Sequence, residues 1–129
     1  MMDLDHFKSV NDTHGHLMGS HVLAEVGRLI RDSIRTVDVS ARYGGEEFVS
    51  YLPEAFLAGA HQVAERVRRA IESHSFSLDG RTIRVTISIG IALFPEHGRE
   101  INTLVARADK ALYRAKESGR NRVCVESKD

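Results

Sequence analysis

Val22, Leu23, Val26, Leu29, Ile30 and Ile34 recur at three- and four-residue steps, the spacing that gathers apolar side chains on one helical face. Ser20 stands just ahead of this stripe and reads as its N-cap. Before it, residues 1–5 read as the end of a strand, 6–11 as a helical turn and 13–19 as a loop rich in glycine and histidine. Residues 39–43 and 47–52 read as short strands flanking Gly44-Gly45. Two residues are the preferred hairpin loop, and glycine supplies the positive φ that such a loop demands. Ala60, Val63, Ala64, Val67 and Ile71 form a second helical stripe that ends near His74. Asp79-Gly80 then turns the chain into a strand over 83–91, where Ile83, Val85, Ile87, Ile89 and Ile91 alternate with smaller residues. One face of that strand is oily, and the small face suits either a closely packed helix or solvent. Leu104, Val105, Ala108, Ala111, Leu112 and Ala115 form a third stripe stopped by Gly119, and 122–126 reads as a last strand. A hairpin mixed with long helices predicts an α+β fold with a largely antiparallel sheet.

Composition narrows this reading only a little. A chain of 129 residues suits one domain with a core large enough to need no staples. Lysine plus arginine balance aspartate plus glutamate at 18 each, so no overall field points to nucleic acid or an anionic membrane. Cys124 is the single cysteine, which excludes an internal disulfide and a cysteine metal cluster. No apolar run has membrane-spanning length, and no basic-then-apolar leader opens the chain. The expectation is a soluble, cytoplasmic domain without membrane contact.

The candidate chemistry lies in the acids. If the strand carrying Asp3 neighbours the hairpin carrying Glu46, both carboxylates converge at one end of the sheet. Two carboxylates beside a glycine turn suit Mg²⁺ carrying nucleotide phosphates, because Mg²⁺ keeps several waters and takes one or two protein carboxylates. Missing Cβ atoms at Gly44 and Gly45 let a ligand approach the backbone. The alternative is that these acids form the solvated face of a hairpin. Lys116 and Arg120, four apart, share a side if the third helix reaches that far. They either clamp phosphates or simply favour the negative end of the helix dipole. Arg35 and Asp38, three apart, could pair, a contact of small value at a surface. His14, His16 and His21 fit no common zinc spacing and read as loop histidines with hydrogen-bonding roles. Phe7 and Phe48 read as core.

Four stretches taken together are more specific. "DLDHFKSVNDTHGH" at 3–16, "ARYGGEEF" at 41–48, "VTISIGIA" at 85–92 and "ADKALYRAKESGRNRV" at 108–123 resemble, in the same order, the GGDEF family of bacterial diguanylate cyclases, here in its GGEEF form. The resemblance implies a cyclase-palm (ferredoxin-like) fold, similar to class III adenylyl cyclases. It also implies condensation of two GTP to cyclic di-GMP with release of pyrophosphate. By motif, Asp3 and Glu46 would hold Mg²⁺, or Mn²⁺ in its place, with the Leu4 carbonyl assisting. Glu47 would serve the metal site or the deprotonation. Gly44 and Gly45 would turn over the nucleotide, Asn11 would contact guanine, and Lys8, Lys116 and Arg120 would neutralise the terminal phosphates. Each domain of the family binds one GTP, so a transient homodimer with a second GGDEF domain is implied, along with an upstream sensor domain. Arg35-Thr36-Val37-Asp38 resembles the family's RxxD inhibitory motif, in which Arg35 and Asp38, with Arg66, would bind the product.

Two departures temper these expectations. Where the family usually reads GHxxGD, residues 15–20 read "GHLMGS". Ser20 replaces an acid that accepts from guanine, and a hydrogen bond to a charged group is worth about 1.5–3 kcal/mol. Weaker or less selective GTP binding follows. The family's "DxLTGLxNRR"-like helix and part of its first strand are also missing before residue 1. The domain is therefore expected to be truncated, with an exposed edge and with Asp3 near a fraying end. Three readings follow: a cyclase under product feedback, a cyclic di-GMP receptor that makes no product, and a GTP-binding regulatory domain.

Overall fold

A computed structural model describes residues 1–127. Its elements are β1 (Met2–Leu4), α1 (Phe7–His14), α2 (His16–Ser33), β2 (Val39–Gly44), β3 (Glu47–Tyr51), α3 (Leu57–Ser73), β4 (Phe76–Leu78), β5 (Arg81–Ile83), β6 (Ile87–Ile91), α4 (Ile101–Glu117) and β7 (Val123–Val125). The main sheet runs β2-β3-β1-β6-β7. Its pairs are antiparallel except β6 with β7, which is parallel. This is the expected α+β architecture, a mostly antiparallel sheet flanked by helices.

Strand parity decides the layering. Met2, Leu4, Phe48, Ile87 and Ile89 point to one face, where Val22, Val26 and Ile30 of α2 and Val67 and Ile71 of α3 complete a buried core. The other face carries Asp3, Glu47, Val49, Ser88 and Gly90, and α4 lies across its β6 end through Ala108 and Leu112. The small face of β6 is thus the helix-covered one. A Cβ at Gly90 would collide with the Ala108 carbonyl oxygen and the Leu112 amide nitrogen.

Four local expectations need correction. First, α2 begins at His16, so Ser20 lies inside the helix and caps nothing. Gly15, at φ 88°, breaks the chain between α1 and α2 in a conformation that glycine adopts freely. Gly19 is a packing glycine, since a Cβ there would strike the Asn11 side chain and come within 3.2 Å of the Phe7 ring. Second, the hairpin closes at the Gly44–Glu47 pair, so Gly45 and Glu46 make the turn. Neither Gly44 nor Gly45 has positive φ; a register shift between Arg42 and Gly44 supplies the bend. Third, the strand over 83–91 is split. Arg81–Ile83 pairs with β4 in a separate two-stranded sheet, and only Ile87–Ile91 joins the main one. Fourth, β1 is the middle strand, with Asp3 opposite Glu47 on one side and Ser88 on the other. It is neither an edge nor frayed.

Beyond β7, Glu126 is buried and clamps α4 to the sheet. Its carboxylate accepts from Arg107 Nε at 2.6 Å and pairs with Arg114 Nη1 at 2.9 Å, and the Ser127 N–H reaches it at 3.0 Å. Burial alone would raise its pKa, but these donors overcome burial and hold it at about 2, below the usual 4.5. A carboxylate depressed on folding stabilises the native state above its unfolded pKa and loses that contribution as pH falls. The urea midpoint is therefore expected to drop as pH falls from 4.5 towards 2. Glu126→Gln should flatten part of that slope and cost about 3 kcal/mol at neutral pH. Asp38, Glu25 and Glu65, each held low by a neighbouring arginine, keep the remainder. An unchanged slope in the variant would remove Glu126 from this account.

Candidate active site

Asp3 is buried at the centre of the sheet and faces α4, and Lys116 Nζ on that helix reaches its Oδ2 at 2.7 Å. Neighbouring β3 brings the other acids alongside. Glu47 is the cross-strand partner of Asp3, so the two side chains share a face, and the Leu4 N–H donates to the Glu46 carbonyl at 3.3 Å. Asp3, Leu4, Glu46, Glu47 and Lys116 therefore meet at one end of the sheet, next to the glycine turn. The turn is open: a Cβ on Gly45 would meet nothing within 4 Å, and one on Gly44 only Glu47 Oε1 at 3.8 Å. Its glycines leave room above the backbone, which positive φ does not explain.

Among the described residues no three His, Cys, Asp or Glu side chains gather into a metal cage. Asp3 and Glu46, with the Leu4 carbonyl oxygen, would offer only oxygen donors, a chemistry that fits Mg²⁺ completing its shell with water and phosphate. The cation already seated on Asp3, the Lys116 ammonium, shows that this carboxylate is turned to receive positive charge.

Arg120 does not continue the face of Lys116. Helix α4 ends at Glu117, and Gly119 at φ 128° closes it. Gly119 N–H bonds to Lys116 O, and Arg120 N–H bonds to Ala115 O at 2.9 Å, the paired bonds of a Schellman cap. This turn brings the next residue's N–H, that of Asn121, onto the Asp5 carboxylate just beyond β1. Lys8 extends into solvent from α1, 3.8 Å from Asp12. Asn11 projects from α1 onto α2 at Gly19. Ser20 lines an open cleft of about 310 Å³ between α2 and the hairpin, floored by Leu23, Gly27 and Phe48 and flanked by Arg31 and Arg42.

Arg35, Asp38 and Arg66 form a second cluster at the other end of β2, roughly 15–20 Å of strand away from the turn. Asp38 is buried and accepts from the Arg35 N–H at 2.8 Å and from its Nε and Nη2, while Nη2 also donates to Pro53 O. The Arg35 guanidinium holds the Asp38 carboxyl below the usual range, against the opposing effect of burial. This pair is more than a surface contact, since one partner is wholly enclosed. Arg66 Nε donates to Ser33 O at 2.6 Å beside it. Phe7 and Phe48 are core residues, as expected. None of the three histidines lies in a loop: His14 is the last residue of α1, and His16 and His21 belong to α2. His21 and His74 approach Glu25 at 3.4 and 2.9 Å.

Residue-type reasoning passed over Asp5 and Asn121. The Asp5 carboxylate accepts from Thr86 Oγ1, Ser88 Oγ and the Asn121 N–H, which joins the exit of β1 to the corner after α4.

The mostly antiparallel sheet thus carries an acid pair, Asp3 and Glu47, at its centre with a glycine turn beside it. The family model described as "Diguanylate cyclase, GGDEF domain" matches residues 1–122. The chain belongs to that family. It is 46% identical over 125 residues to "Diguanylate cyclase A" of Treponema denticola, covering 97% of this chain and 34% of that protein. Among solved structures, the GGDEF domain of YfiN from Pseudomonas aeruginosa aligns with a TM-score of 0.93 at 37% identity, over 98% of this chain and 79% of that one. The GGDEF domain of DgcB from Caulobacter crescentus, solved in complex with c-di-GMP, aligns with a TM-score of 0.89 at 34% identity, over 96% and 74%. The chain spans about a third of the length of its Treponema relative.

Proposed function

We propose that this chain is a diguanylate cyclase domain that joins two GTP into cyclic di-GMP. The observation that carries the reading is the convergence of Asp3, Glu46 and Lys116 beside an open glycine turn. Asp3, Glu46 and the Leu4 carbonyl oxygen would hold Mg²⁺ or Mn²⁺. When bound, the metal supplies charge neutralisation at the phosphates and lowers the pKa of the attacking hydroxyl. Lys116, Arg120 and Lys8 bind the terminal phosphates, and the approach to Gly44 and Gly45 admits the nucleotide against the backbone. Asn11 and Ser20 face the base, Ser20 without the charge an acid would bring.

Each condensation forms a bond from a ribose 3′-oxygen to an α-phosphorus and breaks the bond from that phosphorus to the β-bridging oxygen. Pyrophosphate leaves, and the lysine and arginine charges offset the negative charge it gathers. The hydroxyl proton passes towards Glu47. One chain presents one such site, so two copies must face each other, and orientation supplies much of the rate. Arg35, Asp38 and Arg66 form the feedback site for the product. DgcB, a relative at 34% identity, is solved with c-di-GMP, which supports product binding here. Because Asp38 is enclosed, it acts by aiming the planar Arg35 fork at phosphate or a guanine edge. An upstream sensor domain in the longer protein would set the pairing of two such domains.

The test is a chromatographic assay of product from GTP and Mg²⁺ across a range of protein concentrations. Product rising more steeply than the first power of concentration is expected. Cyclic di-GMP binding with no product at any concentration would make the chain a receptor, and GTP binding alone would make it a regulatory GTP module.

A further inference from the structure

Asp5 is 5% exposed, and among the described residues no lysine or arginine pairs with it. A carboxylate this deep is costly unless donors satisfy it. Three do: Thr86 Oγ1 at 2.6 Å, Ser88 Oγ at 2.6 Å and the Asn121 backbone N–H at 3.0 Å. The first two lie within the sheet and its approach. The third reaches out to a different element.

Asn121 ends a run of three residues with positive φ: Gly119 at 128°, Arg120 at 64° and Asn121 at 47°. Left-handed backbone at a non-glycine residue costs on the order of 1 kcal/mol each and persists only where the surroundings impose it. Here they do so from three sides. The Arg120 N–H is tied to Ala115 O of α4 and the Asn121 N–H to Asp5. Asn121 Oδ1 accepts from Arg68 Nη1 at 3.0 Å, and its Nδ2 donates to Glu72 Oε2 at 2.5 Å. Arg68 is itself gripped by Glu65 at 2.9 and 3.1 Å. Between these anchors stands Arg120, exposed, its guanidinium without a hydrogen-bond partner among the described residues.

We infer that Asp5 and Asn121 are positioning residues for Arg120: they lock the left-handed corner that presents its guanidinium, beside Lys116, to the terminal phosphates of a nucleoside triphosphate. The inference rests on the reading of Arg120 as a phosphate ligand. An arginine on an unrestrained loop would lose conformational freedom on binding, whereas one on a locked corner has lost most of its backbone share already.

The test measures binding of 3′-deoxy-GTP, which cannot condense, and of 3′-deoxyguanosine, by NMR shift titration with Mg²⁺ present. Asn121→Ala, strained at φ 47° and stripped of its Arg68 and Glu72 links, is expected to weaken triphosphate binding about tenfold and leave nucleoside binding unchanged. In an Arg120→Ala background the same substitution should have almost no further effect, because the two act as one unit. Equal loss for both ligands, or effects that simply add, would overturn the positioning role. Arg120→Ala leaving triphosphate affinity intact would instead overturn the phosphate reading beneath it. If Asn121→Ala does not fold, Asn121→Gly accepts the left-handed backbone and keeps the bond to Asp5. It should show a smaller, about threefold loss with the same dependence on Arg120.

Discussion

Glu46→Ala is expected to lower cyclic di-GMP formation by about a thousandfold, on the order of 4 kcal/mol of lost transition-state stabilisation. It should do so without moving the thermal midpoint. Those two outcomes separate a functional acid from a structural one. Glu46 sits half-buried in the turn beside exposed Gly45, and its main-chain carbonyl, which accepts from the Leu4 N–H, survives the substitution. Nothing in the packing should change, so a fall in Tm beside the fall in rate would mean that the hairpin had rearranged. Chromatographic turnover and a calorimetric melt on the same preparation give both readings. Retained turnover would move the metal away from Glu46 and leave Asp3 and Glu47, which face each other across β1 and β3, as the remaining acid pair.

Gly90→Ala is expected to be the most damaging single-methyl change in the fold. Its Cβ would fall on backbone atoms of α4, the Ala108 carbonyl oxygen and the Leu112 amide nitrogen, and a helix backbone cannot rotate away as a side chain can. Overpacking of this kind costs about 3 kcal/mol when the core can partly adjust. A urea titration would show it as a lower midpoint at unchanged slope. The second consequence is at the site. Any shift that relieves the collision carries α4 outward and lifts Lys116 from Asp3. Triphosphate affinity should fall even at temperatures where the variant stays folded. A variant with the wild-type midpoint would show that α4 does not rest on β6 at Gly90.

The long helices and the alternation at Ile87, Ile89 and Ile91 were legible because each is a periodic pattern imposed by one large apolar surface. What escaped was decided by contacts between elements. Gly19 looks like a loop residue until Asn11 and Phe7 are placed against it. Gly44 and Gly45 look like a left-handed turn until the register shift beside them takes over the bend. The regular run from Ile83 to Ile91 conceals its break, because β5 and β6 answer to different partner strands. At the site, Asp3, Glu46 and Lys116 could be chosen by residue type and motif, since acids and bases announce their chemistry. Asp5 and Asn121 could not. They stand out only through hydrogen bonds across the fold, Asp5 to the Asn121 N–H and the Asn121 side chain to Arg68 and Glu72.

The ion pair between Asp3 and Lys116 joins residues 113 positions apart. Closing a loop of that length is entropically expensive and comes late in the folding of a mixed α/β chain. No partially folded form containing only the first hairpin, or only the last helix, can present the site. Ligand affinity is then tied to completion of the whole domain, because any opening that frees β1 or α4 dissolves the site. By mass action, a ligand bound there at a hundred times its dissociation constant would add about 2.7 kcal/mol to global stability. Hydrogen exchange of the slowest core amides would register that gain.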